Sequence, residues 1–294
     1  MYLLFLNSIL LVMKVLPFTI PKSKHDSILL QEDKGAVFYD LLHQHEEIQL
    51  SYIVKGEGTL IVGDTINFYK SGDVLVLGEN LPHVFRSDSK KNTPSQMRTV
   101  FFTKDAFGIN FFKIEELKSL QSFFNKAANG FRLISKEGEI IKLFDAIFSA
   151  KKLDRFILFL QLLKKVNRAK YEHLSTFVSE KKYSDNEGKR MSNVFAYTIN
   201  HFHLEISLDA IAREAAMTKT AFCKYFKKRT NKTYITFLNE FRIEEACKLL
   251  QREKEWSIPE VAERSGFHNI SHFNRKFKLL KGKTPSEYRK ELAL

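Results

Sequence analysis

Cysteine is nearly absent from this 294-residue chain: only Cys223 and Cys247 occur. Two thiols cannot build a disulfide framework or a four-cysteine zinc site, and such sparing use suits a reducing cytoplasm. Long apolar runs are also missing. A membrane-spanning helix needs about 20 apolar residues, and the nearest approach is MYLLFLNSILLV at residues 1–12, which meets Lys14 and Pro17. That run lacks the positive n-region and clean small-residue cleavage site of a secretory signal. It reads as an over-called start, with translation opening at Met13. A buried helix or strand and a membrane anchor are the other readings. Acidic charge is in deficit, with 34 Asp+Glu against 47 Lys+Arg, a formal charge of +13. Such an excess expects a polyanion, either nucleic acid or an anionic surface.

What is present is phenylalanine, 27 residues against a single tryptophan, in a chain that is 44% hydrophobic. That content supports phenylalanine-rich cores, and the length allows two or three domains. Residues 36–102 read as strands. β-rich runs at Ile48–Val54, Thr59–Val62, Asp73–Leu77 and Met97–Phe102 are separated by turn signals at Gly56-Glu57-Gly58, Gly63-Asp64 and Gly72-Asp73. Short strands at this spacing expect a small barrel or sandwich. From about Glu115 the period turns helical. Phe156, Phe159, Leu160, Leu163 and Val166 mark one stripe. Residues 179–192, polar and charged around Gly188, read as a linker. The charge is uneven: residues 189–294 hold 21 Lys+Arg against 12 Asp+Glu, so +9 of the total sits in about a third of the chain.

That third matches itself. Ser207–Met217 aligns with Ser257–Phe267 at an offset of 50. Phe222, Phe226 and Asn231-Lys232-Thr233 align with Phe273, Phe277 and Gly282-Lys283-Thr284 at 51. Each copy reads as helix–turn–helix. Ser207, Ser257, Thr218 and Asn269 are N-cap types, and Pro259 suits a first turn. Gly266 suits the tight turn of the second copy, where the first has Ala216. Phe222/Phe226 and Phe273/Phe277 face inward, and Asn231 and Gly282 are left-handed C-cap types. The faces left outside are Thr220, Cys223, Lys224 and Lys227, and Ser271, Asn274, Arg275 and Lys278. Short polar side chains around a central cation are the chemistry that reads base edges in a major groove. Cys223 serves equally as packing. Lys228, Arg229, Lys276, Lys281, Lys283 and Arg289, with Lys227 and Lys278, suit phosphate contacts. Residues 234–251 read as one long helix joining the copies.

These stretches, AREAAMTKTAFCKYFKKRTNKTYITFLNEFRIEEACKLL and IPEVAERSGFHNISHFNRKFKLLKGKTPSEYRK, resemble the DNA-binding domain of the AraC/XylS family of bacterial transcription regulators. The resemblance covers residues 193–294. It implies two helix–turn–helix units entering successive major grooves of double-stranded DNA. Carried over position by position, it puts base reading on Thr220, Cys223, Lys224, Ser271, His272 and Arg275, where the outward face alone ranks Asn274 above His272.

Upstream, His43-Gln44-His45-Glu46-Glu47-Ile48-Gln49, the spaced glycines and His83 resemble a cupin, a small β-barrel with a ligand cavity. Enzymatic cupins bind metal through HxHxxxE and a later histidine. Here His43, His45 and His83 hold the three histidine positions, and Gln49 replaces the carboxylate. The expectation is a polar cavity lined by His43, His45, Glu47, Gln49, Tyr52 and His83, with no metal, no cofactor and no catalytic residue. A metal-dependent cupin enzyme joined to a DNA-binding module is the alternative. Gly56-Glu57-Gly58 lacks the third glycine of a nucleotide loop. A repair methyltransferase is excluded by the absence of cysteine before residue 223.

The expected fold is a multi-domain α+β chain. Residues 13–106 form a cupin-like sensor barrel, 107–178 a helical dimerisation segment, 179–192 a linker and 193–294 an all-α DNA-binding domain. The expected partners are DNA, a small polar effector, RNA polymerase and a second copy of the chain. The expected role is an effector-responsive activator in the cytoplasm, with no membrane.

Overall fold

The computed structural model describes residues 26–88, 94–134, 138–177 and 183–292; the readings on residues 1–12 and Met13 lie outside them. The N-terminal half is antiparallel throughout. Seven strands come first: β1 (Leu29–Gly35), β2 (Ile48–Lys55), β3 (Glu57–Val62), β4 (Thr65–Lys70), β5 (Val74–Leu77), β6 (His83–Ser87) and β7 (Ser95–Phe102). They build two facing sheets, one of them the three strands β4-β3-β6. The other reads β1-β7-β2-β5 and gains two short strands, β8 (Phe131–Leu133) and β9 (Tyr171–His173). Both fall in the segment expected to be wholly helical. Three residues are too few to show an alternating pattern.

Alternation along each longer strand sorts residues between two cores. Ile53, Leu75, Leu77 and Met97 meet Leu60, Val62, Tyr69 and Phe85 between the sheets. Ile48, Leu50, Val76, Val100 and Phe102 point the other way. They are covered by α1 (Gln121–Ala128), α2 (Gly138–Ser149) and α3 (Lys152–Arg168). On α3 the fully buried residues are Phe159, Leu162, Leu163 and Val166. Phe156 and Leu160 stand at the half-buried edge of that stripe.

The C-terminal half is helical. It comprises α4 (Asp185–His201), α5 (Leu208–Glu214), α6 (Lys219–Thr230), α7 (Tyr234–Arg252), α8 (Ile258–Arg264), α9 (Ile270–Lys281) and α10 (Pro285–Leu292). Helix α4 begins inside the stretch read as linker. Ser184 caps it, and Glu187 completes a reciprocal capping box that satisfies two terminal donors. Residues 185–192 are therefore the first two turns of a helix. Helices α5–α6 and α8–α9 are the two copies of the repeat, and α7 joins them. The caps fall on Ser207, Thr218, Ser257 and Asn269. Asn231 and Gly282 close α6 and α9 in the left-handed conformation, at φ 55° and 72°. Among the described residues no helix is long and apolar enough to cross a membrane.

The two tight turns reach the same geometry by different routes. Gly266 has φ 88° and Ala216 φ 51°, so alanine carries left-handed strain that glycine does not. Ala216→Gly relieves about 1–2 kcal/mol of that strain. It returns about 0.4–1 kcal/mol through a freer unfolded chain. A net stabilisation of under about 1 kcal/mol is expected by urea unfolding. Gly266→Ala is different, because a Cβ there would lie 2.3 Å from the Phe202 carbonyl oxygen. That oxygen already accepts from Arg242 Nε at 2.8 Å. The turn cannot shift without breaking this bond, and a loss of at least about 2 kcal/mol is expected in the same measurement.

Candidate DNA interface and barrel pocket

Burial of Phe222 and Phe226 on α6, and of Phe273 and Phe277 on α9, each 0% exposed, fixes how both helices are rotated. Thr220, Cys223, Lys224, Lys227 and Lys228 are then exposed on α6. Ser271, Asn274, Arg275 and Lys278 are exposed on α9. His272 is half-buried, its ring 5.7 Å from Phe267. Burial, with Arg275 and Lys276 beside it, lowers its pKa. That shift favours the neutral imidazole, which has one donor and one acceptor to offer a base edge. Asn274, which the outward face ranks higher, is the more accessible of the two.

The cations divide. Lys276 is half-buried, while Lys227, Lys228 and Lys278 are exposed. Arg229 is not a surface cation at all. It is 4% exposed, its Nη2 lies 2.5 Å from Glu187 Oε1, and its guanidinium sits 4.3 Å from the Tyr183 ring centre. The Tyr225 hydroxyl donates to the Glu187 carbonyl at 2.8 Å. Arg229 therefore pins the start of α4 to α6, which corrects its assignment to phosphate. Lys281 is paired with Glu244 at 2.6 Å, and Lys283 with Glu291. Arg289 is half-buried, with Nε and Nη2 enclosed.

The barrel end holds the second candidate site. His43, His45 and His83 are drawn together because His43 and His83 exchange backbone hydrogen bonds, at 3.0 and 2.9 Å. Their ring centres lie 4.3 Å apart, and His45 to His83 measures 5.2 Å. Each Nδ1 donates to a backbone carbonyl: Leu41 at 2.9 Å, Glu47 at 2.8 Å and Leu81 at 2.8 Å. Nε2 of His45 lies 2.9 Å from Gln49 Oε1, and the chain continues through Ser51 to Thr99. A cavity opens beside these rings, and Gln31, Asp33 and Tyr39 complete its polar lining.

Tyr52 does not line it. Inward residues on β2 are the odd-numbered Gln49, Ser51 and Ile53, so Tyr52 faces α2, its ring 5.8 Å from Phe144. Glu47 flanks His45, its Oε2 3.8 Å from Nδ1, and is not part of the wall. Gln31, Asp33 and Tyr39 lie on β1 and the following loop, which the sequence pattern left unread. The three histidines offer ligand atoms all within 4.8 Å of one another. By donor type they fit a borderline cation such as Zn²⁺. A metal bound there would supply a Lewis-acid centre.

Two family models match the chain: a helix-turn-helix domain over residues 211–291 and a cupin domain over residues 32–95. An uncharacterized HTH-type transcriptional regulator of Bacillus subtilis, YdeC, is 32% identical over 101 residues. The match covers 34% of this chain and 34% of that protein. The HTH-type transcriptional activator RhaS of Escherichia coli O139:H28 is 29% identical over 124 residues, covering 42% of this chain and 41% of RhaS. The chain thus spans about a third of the length of the first of these relatives. Among solved structures, a DNA-binding transcriptional dual regulator from Escherichia coli K-12 is 28% identical. That match covers 36% of this chain and 93% of that one, with a TM-score of 0.33.

Arg229 gives a test that separates architecture from DNA contact. Arg229→Lys keeps the charge but loses the planar pairing, so stability should fall by about 1–3 kcal/mol while the salt slope of DNA binding stays unchanged. Burial raises the Glu187 pKa. The Ser184 backbone and hydroxyl and the Arg229 guanidinium outweigh it, holding the carboxyl down to about 2 against an ordinary 4.5. A depressed folded-state pKa adds stability above the ordinary value, and that stability is lost as pH falls through the folded one. Urea midpoints of the wild type and Glu187→Gln should therefore converge as pH drops from 4.5 toward 2.

Proposed function

We propose that this chain, an AraC-type helix–turn–helix domain carried behind a cupin domain, is a sequence-specific DNA-binding transcription regulator. The observation that carries this is the pair of recognition helices, α6 and α9. They present matched polar faces on a single connecting helix, with short polar and cationic side chains exposed on both. Thr220, Cys223 and Lys224 would serve one groove, and Ser271, His272, Asn274 and Arg275 the next. Lys227, Lys228, Lys276 and Lys278 would hold the phosphates between. The cupin pocket is read as the sensor of a small polar effector, on the strength of its mixed imidazole, amide and carboxylate lining. A second copy of the chain would dock on the helical layer, where Leu153 and Ile157, one turn apart on α3, are 67% and 46% exposed. RhaS is named an activator, and we read the same direction here, acting with RNA polymerase in the cytoplasm. We read the chain as a regulator and not an enzyme, since its sequence relatives carry regulator names.

Selection of bound duplexes from a random pool tests this without a known operator. It should return two short specified blocks about 10 base pairs apart, one per recognition helix. Arg275→Ala should then cost about 1–3 kcal/mol at one base pair and relax preference there. A pool with no enriched sequence would sink the reading, and equal weakening on all sequences would move Arg275 to the phosphate group.

The histidine cluster favours a second reading, in which the barrel takes a divalent cation as effector or as the centre of a cupin enzyme. Elemental analysis after dialysis against Zn²⁺ should then find one equivalent, lost in His43→Ala. Sub-stoichiometric zinc, or zinc retained in His43→Ala, removes this reading.

A further inference from the structure

Helix α7 passes from one core to the other at Arg242. Phe237, Leu238 and Phe241, before it, belong to the core of α5 and α6. Ile243, Ala246 and Cys247, after it, belong to the core of α8 and α9. Apolar burial thus holds each helix pair to its own half of α7, and Arg242 stands at the seam. Its side chain reaches both sides. Nε donates to the Phe202 carbonyl at 2.8 Å and Nη2 to the Leu204 carbonyl at 2.7 Å. These residues lie between α4 and α5 and lead into the first copy of the repeat. The guanidinium carbon also lies 5.9 Å from the Phe267 ring centre, in the turn of the second copy, within cation–π reach. Phe267 is buried, and its ring stands 5.3 Å from Phe273 and 5.7 Å from His272 on α9.

The glycine of that turn belongs to the same contact. A Cβ on Gly266 would lie 2.3 Å from the Phe202 oxygen and 2.7 Å from Arg242 Nε. The second turn is therefore seated directly on the lead-in to the first copy. Its counterpart Ala216 is exposed. Left-handed backbone does not distinguish the two positions, since both adopt it. The close approach of the other copy does, and it explains why the repeat departs from itself at this point.

A helix pair held through one face of a rod can still rock on it. Helix crossing angles scatter by about 15–20° at interaxial distances of about 8–10 Å, which carries the far helix through about 2–3 Å. Duplex DNA rises about 3.4 Å per base pair, so rocking on this scale blurs the separation of two readers by almost one base pair. A second contact, off the axis of α7, removes that freedom. We propose that Arg242 is a positioning residue that clamps the second turn to the first copy and so fixes the base-pair spacing read by α6 and α9. The spacing part rests on the reading of these two helices as DNA contacts. Lysine replaces it only in part, because a point charge lacks the planar fork that meets two carbonyls and an aromatic face together.

The clamp is tested first without DNA. Cys223 is exposed on α6, while Cys247 is buried and its thiol pushed up to about 12. The full chain with Lys278→Cys therefore takes one spin label on α6 and one on α9. Pulsed dipolar spectroscopy should give one narrow distance. Arg242→Ala should roughly double its width. Arg242→Lys should widen it less, and Ile243→Val, a core change beside it, should leave it alone. An unchanged width in Arg242→Ala would overturn the clamp, as would equal broadening in Ile243→Val. Where Arg242→Ala does not fold, Arg242→Lys decides, and an unchanged width there overturns the clamp. The second readout uses duplexes carrying the two selected blocks one base pair closer or farther apart. That change should weaken wild-type binding about tenfold and Arg242→Ala binding no more than about threefold. Each penalty is a ratio within one protein, so partial unfolding cancels from it. A full penalty retained in Arg242→Ala would overturn the link to spacing. A selection that returns no blocks would sink the regulator reading while leaving the distances standing.

Discussion

Burial of α7 from several directions at once is the constraint on which the rest of the molecule hangs. An ordinary surface helix hides one stripe. This one supplies Tyr234, Phe237, Leu238 and Phe241 to the core of the first repeat. It supplies Ile243, Ala246, Cys247 and Leu250 to the core of the second, and Glu245, Lys248 and Arg252 to the barrel. Helices α6 and α9 are therefore not independent modules on a tether. Each packs against a different half of one rigid rod, and the phase of that rod sets the angle between them. A 19-residue helix of about 1.5 Å per residue spans close to 30 Å, near the 34–36 Å that separates successive major grooves on one side of B-DNA.

Most of the DNA-facing half is legible in the residues. The caps, the inward phenylalanines and the left-handed Asn231 and Gly282 all follow from local chemistry acting at fixed helical offsets. The misreadings have local causes as well. Charge alone points Arg229 at phosphate, yet it lies seven residues after Phe222 and three after Phe226, on the buried face. Its position outweighs its type. Ser184-x-x-Glu187 has the same capping-box spacing as Ser257-x-x-Glu260, but polar composition around it reads as linker. In the barrel, Tyr52 has the wrong parity to share a wall with Gln49, and strand alternation alone excludes it from the pocket. Other features had no sequence signal. Strands β8 and β9 extend the sheet from the edge of β5; Gln31 and Asp33 reach the pocket through long-range pairing of β1 with β7, and Tyr39 from the loop after β1.

The sheet pairing also explains why the barrel half is built in layers. Helices α1–α3, the six-stranded sheet, the three-stranded sheet and α4 with α7 stack in that order. Every strand of the two central sheets that is buried on both faces must carry apolar or satisfied polar residues at each position. This is the source of the near-continuous hydrophobic runs at Val74–Leu77 and Thr99–Phe102. The polar exceptions, Gln49, Ser51 and Thr99, sit at 0–3% exposure and satisfy one another in a single chain that ends at His45. A buried polar row of this kind is tolerated only when each member has a partner. It therefore couples the position of His45 to the centre of the barrel.

Charge follows the same division of labour. The excess of +9 in residues 189–294 is not a measure of how many phosphates are neutralised. Arg229, Lys232, Lys248, Arg252, Lys281 and Lys283 all pair with carboxylates of this chain; the first five tie α4, α7, α9 and the barrel to their neighbours, and Lys283 pairs with Glu291 on α10. Lys224, Lys227, Lys228, Arg275 and Lys278 are exposed on α6 and α9. Acids spent on internal pairs leave a positive surface where α6 and α9 emerge, the kind of field that attracts polyanions. The counterion-release slope should therefore follow this exposed set rather than the formal charge. Pairing with this chain's own carboxylates separates the cations that hold its parts together from those left exposed on α6 and α9.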